Sequence, residues 1–69
     1  MKQSAQDVCA TIHYSAMKGL WYVEVTINGA RMYGDFGPLD VCRHWAMRAV
    51  GDNFNVAHDD VERYRKAIA

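Results

Sequence analysis

The stretch LWYVEVTINGARMYGDF, residues 20–36, decides the fold of this chain. Apolar and polar side chains alternate on both sides of Asn28-Gly29. A type I′ turn needs positive φ at both of its central residues, and Asn-Gly is the pair most often found there. The stretch therefore predicts a β-hairpin with strands at about 20–27 and 30–36.

The register of this hairpin assigns each side chain to one of two faces, because neighbouring side chains of a strand point in opposite directions. On the apolar inner face, the predicted pairs are Ile27 with Ala30, Val25 with Met32, Val23 with Gly34 and Trp21 with Phe36. On the outer face, they are Thr26 with Arg31, Glu24 with Tyr33 and Tyr22 with Asp35.

The preceding segment predicts a third strand, over about 9–17, if a second turn lies at Lys18-Gly19. Its inner-face pairs are then Ala16 with Trp21, Tyr14 with Val23, Ile12 with Val25 and Ala10 with Ile27, while Thr11, His13 and Ser15 join the outer face. Both turns give the same apolar face, and this agreement favours a three-stranded antiparallel meander.

A helix over residues 4–17 is the alternative for the same segment. Ser4-Ala5-Gln6-Asp7 resembles a capping box. Ala5, Val8, Cys9, Ile12 and Ala16 recur at helical spacing. The run 11–14, Thr-Ile-His-Tyr, has poor helix propensity, so the strand is favoured. In the alternative, the fold has this helix, a two-stranded hairpin and two further helices.

The second half of the chain predicts two helices. Pro38 suits a first helical position, and Gly51 suits a stop, which gives a helix over about 38–50. Its predicted sheet-covering stripe is Val41, Cys42, Trp45, Ala46 and Ala49, with Asp40, Arg43, His44, Met47 and Arg48 toward solvent. Residues 52–55 predict a turn in which Phe54 plugs the core. A second helix is expected over about 57–68, with Val61, Tyr64 and Ile68 on its apolar side. The sequence thus predicts one α+β domain, residues 1–69.

Composition limits the classes of partner. The 69 residues carry eight Lys plus Arg and eight Asp plus Glu, so the formal net charge is zero. A neutral chain has no overall attraction for nucleic acid or for an anionic membrane. No apolar run of 18 residues is present, and the N-terminus lacks the apolar centre of a signal peptide. A cytoplasmic protein with reduced Cys9 and Cys42 is expected.

The residues that carry chemistry do not form a recognisable catalytic or metal-binding pattern. His13, His44 and His58 fall on three separate predicted elements without the spacing of a zinc site. Cys42 and His44 are two apart on a helix, so they point in different directions and do not form a nucleophile and base. No metal, no cofactor and no catalysis are expected.

Two surfaces are candidates for binding. The outer face of the sheet carries two tyrosines among charged groups, and Tyr and Arg are enriched at interface hot spots. Its predicted contact residues are Tyr22, Tyr33, Arg31, Glu24 and His13. The exposed side of the first helix is the second candidate, with Arg43, His44, Met47 and Arg48.

The layout of residues 19–46 resembles a known module. The residues that carry the resemblance are 21–25 (Trp-Tyr-Val-Glu-Val), Asn28-Gly29 with Arg31, then Phe36, then a helix with Trp45-Ala46. This order is similar to the AP2-type DNA-binding domain and to the arm-binding domain of tyrosine-type phage integrases. The resemblance implies a three-stranded sheet backed by a helix, with the open sheet face in the DNA major groove.

By position, the resemblance makes His13, Tyr22, Glu24, Arg31 and Tyr33 the DNA-facing residues. Those domains line this face with several Arg, Lys and Trp, whereas this chain offers one Arg beside acidic residues. A groove reader needs cations for the phosphates. In size and style the chain also resembles small phage and mobile-element proteins that block bacterial defence, anti-CRISPR proteins among them.

Three functional hypotheses follow from the sequence. The first is a non-enzymatic module, of phage or mobile-element type, that inhibits a larger host protein or complex by covering its surface. The second is a small DNA-binding accessory protein of the AP2, integrase-arm or excisionase kind. The third is a homodimer that buries the outer face of the sheet.

Overall fold

A computed structural model describes residues 8–69 as an α+β arrangement of one sheet and two helices. The strands are β1 (Val8–Ser15), β2 (Leu20–Ile27), β3 (Ala30–Tyr33) and β4 (Phe54–Val56). The helices are α1 (Leu39–Val50) and α2 (Val61–Ile68), with a 3₁₀ turn at His58–Asp60 before α2. The sheet order is β3-β2-β1-β4; β4 runs parallel to β1, and the other neighbours are antiparallel. No helix within residues 8–69 is long and apolar enough to cross a membrane.

The β2–β3 hairpin has the predicted turn. Asn28 and Gly29 have φ values of 50° and 89°, as a type I′ turn requires. The predicted pairing of Val25 with Met32 and of Glu24 with Tyr33 is confirmed. The two-residue turn therefore sets the register from which both faces of the sheet follow.

The segment before this hairpin is the strand β1, so the alternative helix over 4–17 is wrong. The capping-box residues 4–7 lie outside the described residues. β1 runs over Val8–Ser15 rather than about 9–17, because the chain leaves the ladder after Ser15. Thr11 and Ile12, which disfavour a helix, are at home in a strand.

The β1–β2 register differs from the predicted one by two residues. Tyr14 pairs with Trp21, where Ala16 was expected. The connection is a four-residue loop, closed by a hydrogen bond from the Gly19 N–H to the Ser15 carbonyl (2.8 Å). Gly19 has a φ of 68°, and it is the one residue of the loop with positive φ. The predicted type I′ turn would need positive φ at Lys18 as well, which is unfavourable for a residue with a Cβ atom. A shift by two leaves every side chain on its predicted face.

The end of the second hairpin also departs from prediction. The Gly34 N–H donates to the Val23 carbonyl (2.8 Å), but Trp21 then bridges Gly37 rather than Phe36. Two residues, Asp35 and Phe36, thus oppose Tyr22 alone, which is the geometry of a β-bulge. β3 ends at Tyr33 instead of about 36.

The core lies between the inner face of the sheet and α1. Its buried residues are Ala10, Ile12, Trp21, Val23 and Val25 from the sheet, and Cys42 and Ala46 from α1. The predicted covering stripe was centred wrongly, because Val41, Trp45 and Ala49 are exposed. The buried row instead continues through Leu39 and Val50, at the helical spacing of Cys42 and Ala46.

The C-terminal part adds a strand that the sequence did not predict. Phe54, expected as a plug in a turn, lies in β4 beside Ala10 and still packs against the core. The expected helix over 57–68 is divided into the 3₁₀ turn and α2. Asp60 holds this part against β1, because its Oδ2 accepts a hydrogen bond from the Tyr14 N–H (2.8 Å).

Candidate functional site

The outer face of β1, β2 and β3 is the surface that the sequence singled out. None of its residues is buried, whereas the buried residues of the sheet all lie on the inner face. The structure places His13 on β1, Tyr22 and Glu24 on β2, and Arg31 and Tyr33 on β3. All five predicted contact residues therefore share this one face.

Glu24 is the electrostatic centre of the outer face. Its Oε1 lies 2.9 Å from Nε2 of His13, and its Oε2 lies 3.3 Å from Nε of Arg31. A carboxylate only accepts hydrogen bonds, so Nε2 of His13 is the donor and carries the proton. The side chain of Glu24 is only 17% exposed. The two neighbours therefore satisfy and shield the carboxylate.

Aromatic rings continue the outer face beside this charged group. The rings of His13 and Tyr22, which are cross-strand partners, stack at 4.9 Å with an angle of 13°. Tyr33 lies 6.2 Å from Tyr22 in a tilted arrangement, and its residue is 61% exposed. Contacts of this kind orient the rings at little entropic cost, since each ring has few torsions to fix.

The structure adds Phe36 to this cluster and places Lys18 beside it, and sequence reasoning missed both. The bulge carries Phe36 to a T-shaped contact with Tyr22 at 5.1 Å, although its predicted place was the inner face. Nζ of Lys18 lies 4.9 Å from the centroid of Phe36. The available signal was the pair Gly34 and Gly37, because glycine inside a strand pattern often marks a bulge. We call His13, Tyr22, Glu24, Arg31, Tyr33 and Phe36 the outer-face cluster.

The second predicted surface, on α1, is divided. His44, Met47 and Arg48 are exposed. Arg43 instead lies toward α2, with its guanidinium 5.9 Å from the ring centroid of Tyr64. Its Nε is buried and has no hydrogen-bond partner among the described residues. Arg43 thus contributes to helix packing, and three residues of this surface remain accessible.

The side chains that could bind a metal or act as nucleophiles do not cluster within residues 8–69. Residues 8–69 contain no cluster of three His, Cys, Asp or Glu side chains that would suit a metal ion. Cys9 is an exposed free thiol on the outer face, and Cys42 is a buried free thiol. Burial raises the pKa of the Cys42 thiol, and the nearby Asp40 carboxylate raises it further. A thiol held neutral in this way is a poor nucleophile.

Comparisons of this chain with protein-family models, with curated proteins and with solved structures give no match. The AP2-like and anti-CRISPR-like resemblances accordingly stay predictions made from the sequence.

Proposed function

We propose that this chain is a non-enzymatic protein-binding module that covers part of the surface of a larger protein with the outer-face cluster. By covering that surface, the chain would inhibit a host complex. The supporting observation is that the aromatic rings of this face contact one another beside the Glu24 carboxylate, which is paired with its neighbours. None of these residues is buried within residues 8–69. In this proposal the chain needs no cofactor.

The charges of the face support a protein rather than DNA as the partner. Arg31 is paired with Glu24, and Lys18 lies over Phe36, so both cations already have partners on the face. A DNA-binding sheet needs free cations, because phosphate neutralisation supplies most of its affinity. Protein interfaces instead favour aromatic residues and Arg over a high charge density.

The proposed anchors are Tyr22, Tyr33 and Arg31, with Glu24 and His13 setting specificity. Tyr22 is held between His13 and Phe36, so a partner meets a ring that is already ordered. Preordering reduces the entropy lost on association. Loss of a true anchor typically costs about 2 kcal/mol or more, on the order of thirtyfold in affinity.

The test is quantitative capture from a bacterial lysate with immobilised wild-type protein, followed by calorimetry on the purified captured protein. We expect Tyr22→Ala and Tyr33→Ala each to weaken binding by about thirtyfold. Lys66→Ala is the matched control, because Lys66 is exposed on α2, away from the sheet. Circular dichroism verifies the fold of each variant. Equal binding by wild type and both tyrosine variants contradicts the proposal.

Two further measurements separate the other hypotheses. A gel shift on duplex DNA at low salt, lost steeply as salt rises and weakened by Arg31→Ala, supports the DNA-binding hypothesis instead. Equilibrium sedimentation that shows a dimer dissociated by Tyr22→Ala supports a homodimer that buries this face. In either case the outer-face cluster is still the site, but the partner differs.

A further inference from the structure

Within residues 8–69, the outer edge of β3 is not paired with another strand. β3 is the last strand in the order β3-β2-β1-β4. The Gly34 N–H donates to Val23 of β2, and hydrogen-bonded pairs alternate along an antiparallel ladder. The N–H and C=O groups of Arg31 and Tyr33 must therefore point away from β2. Exposed edge groups of this kind pair readily with an added strand.

An apolar groove lies beside this edge on the inner side of the sheet. Val23, Gly34, Asp35, Phe36, Val41, Cys42 and Trp45 line it. Its volume is about 170 Å³, and an apolar cavity of ~150 Å³ is large enough to hold benzene. Trp45 is 43% exposed and Val41 55% exposed, although both are large apolar side chains on the helix that covers the core.

The groove lies between α1 and the residues that follow β3. β3 ends at Tyr33, and residues 34–36 line the groove together with Val41 and Trp45 of α1. The Trp45 ring lies over Gly34, 3.6 Å from the point that a Cβ atom would occupy. On β3 itself, Met32 is 51% exposed on the inner face. Met32, Gly34 and Trp45 thus lie on the same side of the sheet.

One charge lies in this groove. Asp35 is exposed, lines the groove and forms no ion pair with another residue in the range 8–69. A carboxylate beside an apolar groove favours a ligand that carries a cation next to its apolar side chains.

We propose that β3 and this groove bind an extended segment of a partner protein, which adds a fifth strand to the sheet. Alternate side chains of the segment are apolar and enter the groove, and a Lys or Arg of the segment meets Asp35. Backbone hydrogen bonds to Arg31 and Tyr33 supply the pairing, and the groove selects the side chains. This site shares Phe36 and the strand β3 with the outer-face cluster, but its groove opens on the inner side of the sheet, and the proposal does not rest on the proposed function.

In the symmetric pairing about Met32, a second copy of the chain fits the site less well. An antiparallel pairing of two β3 strands about Met32 satisfies the edge, but it sets Asp35 opposite a glycine of the other copy. The carboxylate then gains no cation. A partner segment that carries its own Lys or Arg satisfies both the edge and the charge.

The proposal is tested with the capped peptide SKTVTVTKS, followed by ¹⁵N NMR on the full chain. The valines and lysines share one face of the extended peptide, and when the peptide pairs antiparallel with β3 the threonine N–H groups point at β3. We expect shifts of the Arg31 and Tyr33 amides and of the Trp45 indole. N-methylation of the threonines should abolish these shifts, whereas N-methylation of the valines, whose N–H groups point away from β3, should preserve them.

Charge and groove are tested separately. The glutamine peptide SQTVTVTQS should bind roughly two- to fivefold more weakly, as expected for an exposed ion pair. Asp35→Asn should remove that difference, and Trp45→Ala should weaken both peptides. His13→Ala should leave peptide binding unchanged, because His13 lies on β1 and does not line the groove, and this separates the two sites.

Three results overturn the proposal. The first is the absence of shifts at millimolar peptide. The second is a set of shifts confined to His13, Tyr22 and Glu24, with the Trp45 indole unchanged. The third is a sedimenting dimer that Trp45→Ala dissociates, because a second copy then fills the groove. If Tyr22→Ala and Tyr33→Ala do not weaken binding in the capture experiment, the proposed function is contradicted. The peptide measurements then still decide whether β3 and the groove bind a segment.

Discussion

Ile12 and Val23 are cross-strand partners on the inner face, whereas the adjacent residues His13 and Tyr22 are cross-strand partners on the outer face. The first pair is 0% and 2% exposed and lies in the core. The second pair stacks at 4.9 Å but is only half-buried. The same two strands thus carry one pair that holds the domain together and one pair that stays open to a partner.

The two faces differ in what packs against them. The inner face is covered by α1, whose small residues Cys42 and Ala46 let the helix approach the sheet closely. On the outer face, the polar side chains pair with one another, above all Glu24 with His13 and Arg31. Substitutions on the inner face should therefore cost stability, and substitutions on the outer face should mainly cost binding.

The sharpest test compares two neighbours on β1. Ile12→Ala removes a wholly buried side chain, so we expect the free energy of unfolding to fall by about 3 kcal/mol. Thr11→Ala, one residue away on the outer face, should lower it by about 1 kcal/mol or less, since Ala is a weaker strand former than Thr. Urea denaturation followed by circular dichroism measures both. Similar losses for the two variants would mean that the outer face is covered in solution.

A smaller effect is expected for the charged centre of the outer face. Glu24→Gln removes the negative charge from a carboxylate that is 17% exposed and has two partners, so unfolding should become easier by about 1 kcal/mol. Glu62→Gln is the matched control, because the Glu62–Arg65 pair is highly exposed and 3.8 Å apart. We expect no measurable change for the control. A loss for Glu24→Gln that is equally small would show that the pairing does not order the face.

Much of this comparison could be predicted from the sequence, because it depends on local rules. Asn28-Gly29 predicts the turn, and strict alternation then assigns Trp21, Val23 and Val25 to one face and Tyr22 and Glu24 to the other. The two-residue error in the β1–β2 register did not disturb this assignment, since a shift by two preserves each face. The face on which a side chain lies is therefore more predictable than the residue with which it pairs across the strands.

The features that escaped prediction depend on tertiary context. β4 has three residues and no alternation long enough to detect, and it is held by pairing with β1 over forty residues away. The bulge that moves Phe36 depends on where Trp21 bridges Gly37. The Trp45 ring lies over Gly34, the residue that follows the end of β3. The bulge and the end of β3 each determine part of a candidate site, so the outer-face cluster was predicted incompletely and the groove was not predicted.

The smallest expected effect distinguishes the two cysteines, one on each face. Burial raises the pKa of Cys42 in the folded state, whereas an unfolded thiol ionises near its ordinary value of 9.0. The resulting stabilisation is fully present below pH 9 and is lost as the pH rises through the folded-state pKa. Cys42→Ala should therefore show a shallower loss of stability between neutral pH and pH 10 than wild type, by urea denaturation at each pH. Cys9→Ala, on the exposed side, should follow the wild-type curve. If both variants follow that curve, the Cys42 thiol is not held neutral by the core, and the contrast between the two faces does not extend to their cysteines.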